Sequence, residues 1–168
     1  MELKEILLAQ LDREAAASRK VVEQVPEGKN DWKPHQKSMP LGYLAALVAT
    51  MPGWVSLMIE RDELNLDDAS SEQFRTKAVK TKAELVQQLE EGVAKSRAAL
   101  ENTTDAHLMK PWKFMMGGRV VNQEPRYVMV LNSVFSHLAH HRGQLTVYLR
   151  LNDAKVPAIF GPSADEKF

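Results

Sequence analysis
Apolar residues recur at three- and four-residue spacing in four separate segments of this 168-residue chain, a period that commits each segment to an amphipathic helix. In the first, Leu3, Ile6, Leu7, Gln10, Leu11, Glu14 and Ala15 follow helical spacing before "VPEGKNDWKP" ends the run with proline and glycine. The second, "MPLGYLAALVATMPGWVSLMIERDEL", carries Leu44, Leu47, Val48, Met51, Val55 and Met58 on one stripe, with Pro52 and Gly53 inside it. A proline there lacks the N–H and clashes one turn back, so the helix is expected to kink or re-start. The third runs from Lys80 to about Asn102, with Leu85, Leu89, Val93 and Leu100 near one face. The last runs from about Arg126 to Leu151, and Pro125 suits its first helical position, where the N–H would be unpaired anyway.

Between the last two helices, "PWKFMMGGRVVNQEPRYVM" breaks the helical period, and Gly117 and Gly118 divide two short apolar runs into a small hairpin or ordered loop. The tail "NDAKVPAIFGPSADEKF" holds Ile159 and Phe160, so an ordered strap across the helices is expected. With little other strand signal, the reading is an all-α, up-and-down four-helix bundle forming one domain over residues 1–168. Lys plus Arg equals Asp plus Glu at 22 each, which supplies no global field for nucleic acid or an anionic membrane. There is no cysteine, which removes disulfides, thiolate metal sites and a thiol nucleophile; any thiol chemistry would need a thiol cosubstrate. Charges interrupt the opening apolar run, so it reads as neither a secretory leader nor a membrane span, and a soluble, cytoplasmic protein is expected.

Three of the five histidines fall in "SHLAHHRGQLTVYLR". His137 and His141 lie one helical turn apart on a stripe with Val130, Val134, Leu145 and Tyr148, so two imidazoles can aim at one point. That spacing suits zinc, nickel or iron. It equally suits one hydrogen-bonded core histidine beside one reaching solvent. His140 is rotated away from the pair and fits packing or support of a neighbouring imidazole. His35 and His107 sit in polar, loop-like contexts and read as surface residues. Arg142 is either a clamp for an anionic group or half of an interhelical salt bridge. Gly143 inside a helix costs about 1 kcal/mol against alanine, which a close helix approach would explain. Ser163, Asp165 and Glu166 suit turn and capping roles better than catalysis, and Trp32, Trp54 and Trp112 suit the sealing of bundle ends.

"HLAHHRGQLTVYLR" followed by "VPAIFGPSADE", together with "KSMPLGYLAALVATMPGW", resembles the signature of the DinB (damage-inducible) superfamily over nearly the whole chain. The resemblance implies a four-helix bundle, commonly a homodimer, with a divalent metal held by three histidines. Two of these match His137 and His141. Relatives include bacterial thiol-dependent S-transferases and isomerases. The third ligand is expected from the second helix in a pattern such as "LGxLAxH", and aligning "LGYLAAL" puts Leu47 there. Leucine donates to no metal, and Glu124, Asp165 or Glu166 could replace it only if the fold brought one inward.

Leu47 continues its own apolar stripe, so the site reads as a partly apolar pocket with a polar floor at His137 and His141, flanked by His140 and Arg142. Three functions follow. The first is small-ligand binding at a degenerate metal site. The second is a divalent-metal-dependent transferase or hydrolase whose Zn or Ni would activate a bound water or thiol. The third is an obligate dimer acting through protein contacts alone, for which the methionine-rich second helix speaks.

Overall fold
A computed structural model describes residues 2–77, 79 and 81–167. Its first helix, α1 (Leu3–Val22), starts in a capping box between Glu2 and Glu5. The apolar second segment is helical in two pieces, α2 (Leu41–Thr50) and α3 (Trp54–Glu60), joined by a 3-10 turn at Met51–Gly53. Ser96 repairs the break: its Oγ donates to Pro52 O at 2.7 Å and accepts from Ser56 N at 3.1 Å. A Cβ built on Gly53 would lie 3.2 Å from the Cα of Gly92, so these two glycines let the break approach the fourth helix closely. That helix, α4 (Lys82–Glu101), opens on a Thr81/Glu84 capping box; Lys80, where it was expected to begin, lies outside the described residues.

After the short α5 (Asp105–Leu108), the chain forms β2 (Pro111–Met116) and β3 (Arg119–Pro125), an antiparallel hairpin. Its two-residue turn is Gly117 and Gly118, both at positive φ, as a tight hairpin turn of this length requires. The expectation of an all-α fold is corrected here. A third strand, β1 (Glu63–Asn65), pairs parallel to β2, so the helices carry a three-stranded mixed sheet in the order β1-β2-β3. Three residues are too few to show a period of two.

The last helical run comprises α6 (Arg126–Met129), a π-helical stretch at Val130–Ser136 and α7 (His137–Leu151). Pro125 ends β3 and caps this run from outside, one residue before the expected position. The core falls into two clusters, one around Leu44, Val48, Leu138 and Leu145, the other around Leu11, Val55, Trp112 and Val134. Leu41–Glu60 is long and apolar enough to cross a membrane, and 78% of its apolar window is buried inside the fold, which accounts for its hydropathy.

The tail is ordered by its own polar groups. Ser163 Oγ donates to Val156 O at 2.6 Å and accepts from the backbone N–H groups of Asp165 and Glu166. Ala158 is buried and Ile159 packs on the core, while Phe160 is 84% exposed with its ring centroid 5.7 Å from the Arg142 guanidinium, so the tail lies across the helices as expected. Gly143 meets nothing within 4 Å where a Cβ would stand, so close helix approach within the chain does not explain it.

Candidate ligand pocket
Side chains alternate across a strand, and this periodicity builds one wall of the candidate site. The register aligns Leu64 of β1 with Phe114 of β2, and Phe114 with Asn122 of β3. Leu66 and Trp112, each two residues from a member of this row, also line the same cavity, of about 810 Å³. The facing wall is helical: Leu47, Trp54, Leu57 and Met58 from α2 and α3, then Met129, Ser133 and His137 from the last helical run. The π-helical stretch ends at His137, whose backbone N–H reaches Asn132 O five residues back. This wider turn presents Asn132 to the pocket alongside Ser133. Ser71, Arg75 and Thr76 complete the rim. The volume and the mixture of an apolar wall with few polar groups are those of a small-molecule site.

Arg126 holds the two walls together. It is buried, with Nε donating to Met58 O at 3.0 Å, Nη1 to Pro111 O at 3.2 Å and Nη2 to Arg61 O at 3.2 Å, and it pairs with the exposed Asp62. One guanidinium thus joins the end of α3, strand β2 and the start of α6. The helix-start signals at Pro125 gave no reason to single it out.

Of the five side chains singled out in sequence, Leu47 and His137 line the pocket. Leu47 is 7% exposed and His137 is exposed at the mouth, its ring 6.3 Å from Trp54. His141 is buried behind it, with Nε2 2.8 Å from His137 Nε2 and Nδ1 2.8 Å from Gln144 Oε1. Gln144 Oε1 is an acceptor, so His141 carries its proton on Nδ1 and receives the His137 Nε2–H on Nε2. Burial pushes the His141 pKa below its ordinary value; the Gln144 bond opposes this, and His137 and His140 add to it. His140 is exposed, ring-edge against His141 at 5.1 Å, and does not line the pocket. Arg142 turns the other way. It is buried against α1, with Nη1 donating to Glu14 Oε2 at 2.6 Å and Ser18 Oγ at 3.3 Å, so of its two readings the structure shows the interhelical ion pair. His35 is exposed, as expected, whereas His107 lies in α5, half-buried, with Nε2 2.9 Å from Ile59 O.

Two imidazole nitrogens therefore converge, but the remaining donors do not fit a three-ligand metal centre. Leu47 supplies only carbon to the pocket. Glu124 is exposed on β3. Asp165 is engaged by Arg150 and Val156 N, and Glu166 by Ala158 N and Lys20. Among the described residues, no group of three or more His, Cys, Asp or Glu side chains is gathered as a metal ion would need.

Comparison with known proteins agrees with this architecture. A family model described as the DinB superfamily matches residues 10–145. A DinB-like protein of Bacillus cereus superposes with a TM-score of 0.72 at 19% identity, covering 93% of this chain and 97% of its own. A DinB-like protein of Bacillus subtilis superposes with a TM-score of 0.67, also at 19% identity, over 91% of this chain and 96% of its own. No curated protein matches in sequence.

Proposed function
Because the chain belongs to the DinB superfamily, we propose that its Leu47–His137 pocket binds a small, largely apolar molecule, with His137 as a polar group at the mouth, backed by His141. The observation that carries this reading is the composition of the cavity. Leu47, Trp54, Leu57, Met58, Trp112 and Phe114 form most of its surface, with polar side chains such as Asn122, Asn132 and Ser133 interspersed among them. Burying an alkyl or aromatic body there contributes about 25 cal/mol per Å² of apolar surface removed from water, and the exposed His137 offers a polar contact at the mouth.

A second reading, a divalent-metal-dependent transferase or hydrolase, is favoured by one feature. Gln144 holds His141 in the tautomer whose Nε2 lone pair faces His137, as a ligand supported from behind would be held. That reading needs donors from outside the described side chains.

The test of the first reading is titration of the purified protein with 1-octanol, followed by the fluorescence of Trp54 and Trp112. Saturable binding at one site per chain is expected, with loss in Leu66→Trp, which fills the half-buried mouth, and in Ser133→Phe, which fills the pocket from the opposite wall. Absence of saturable binding, or binding untouched by both variants, overturns it.

A further inference from the structure
Arg75 is the one charged side chain among the described residues lining the pocket, and no carboxylate lines it. It sits where the pocket meets a second cavity of about 750 Å³, with which the pocket also shares Trp54 and Leu57. That cavity adds Arg61, Lys77 and Lys95 against Glu60 and Glu91, so with Arg75 and its partner Glu72 the surroundings of the mouth carry four cations against three carboxylates. Glu72 Oε1 lies 3.1 Å from Arg75 Nε, an i,i+3 contact that orients the guanidinium. The planar Nη pair keeps the geometry that matches a carboxylate in a bidentate contact. An apolar body lined by leucines and aromatic rings therefore ends in a cationic mouth, which is the pattern an amphipathic anion satisfies.

We propose that the pocket takes an organic acid, its apolar body between the sheet and α3 and its carboxylate at Arg75. This rests on the binding reading above and names the class of ligand. Arg75 acts as the residue that selects charge, while the walls select size.

The test compares three probes with the same alkyl body, octanoate, 1-octanol and octylammonium, by tryptophan fluorescence and calorimetry at low salt. Octanoate is expected to bind up to about fivefold more tightly than 1-octanol, the upper end for an ion pair at an exposed site, and octylammonium most weakly. Arg75→Gln should remove the advantage of octanoate over 1-octanol measured on the same variant; Arg75→Glu should favour octylammonium. Because the Arg75 side chain is 58% exposed, both variants are expected to keep the parental circular dichroism. Binding of 1-octanol with no preference for octanoate, or an equal loss of both in Arg75→Gln, overturns the assignment of the anion and leaves the pocket standing. Failure of octanoate and 1-octanol alike overturns both.

Discussion

The imidazoles of His137 and His141 meet Nε2 to Nε2 at 2.8 Å, and Gln144 Oε1 lies 2.8 Å from the other ring nitrogen of His141. The two rings share one proton along this line, an arrangement that a second proton breaks. Burial places the His141 pKa below 6.5 in the folded state, so folding favours the neutral ring. Its stabilising contribution is present above the unfolded-state pKa of about 6.5 and is lost as the pH falls through the lowered folded value. Denaturant midpoints should therefore drop as the pH falls from neutrality below about 6.5, and His141→Gln should shrink that drop. An identical acid profile in the variant would assign the loss to other groups.

Glu14 and Arg142 form an ion pair at 2.6 Å with side chains 7% and 2% exposed. Removing one partner leaves a buried charge, which costs about 3–5 kcal/mol. Arg142→Met alone should lower stability in urea by about that much. The double variant Glu14→Leu, Arg142→Met should recover most of it, since two apolar side chains of similar volume avoid desolvation. A double variant as unstable as the sum of the singles would show that the pair itself is net stabilising.

Gly143 lies in the interior of α7 with open space where a Cβ would stand. Gly143→Ala should raise stability by about 0.5–1 kcal/mol, because alanine loses less backbone entropy in a helix. Thermal unfolding would read this as a higher Tm. A lower Tm would mean that another surface packs against this face in solution.

The four carbonyls that Arg126 holds, of Met58, Lys110, Pro111 and Arg61, join α3, β2 and the start of α6. Arg126→Met should cost about 1–3 kcal/mol, since the buried Met58 carbonyl loses its donor. In hydrogen exchange, β2 and β3 should loosen more than α1 or α4. Uniform loss of protection would indicate global rather than local opening.

The helical segments and the break at Pro52 were legible because each rests on local pattern: an apolar stripe, a missing donor, a glycine-glycine turn. Leu47 and His137 were singled out together through the family resemblance rather than local pattern, and both line one cavity. The sheet wall was not, because the row Leu64–Phe114–Asn122 depends on register between segments far apart in the chain, and β1 is too short to announce itself. Arg142 follows His141 directly yet faces α1, since successive helical residues are rotated by about 100° and a shared motif need not be a shared pocket. The π-helical stretch left no trace either, because one wider turn within seven residues scarcely alters the apolar spacing.

The central claim is the proposal that Leu47, which lines the pocket together with His137, makes this site a receptor for an organic molecule rather than a metal centre. Elemental analysis of the untagged protein after dialysis, beside a Leu47→His variant, tests it most directly. The account predicts that zinc or nickel is retained near one per chain only by Leu47→His, where a third imidazole joins the pair. Near-stoichiometric metal in the unaltered protein, lost when His137 and His141 are both replaced by alanine, would contradict it.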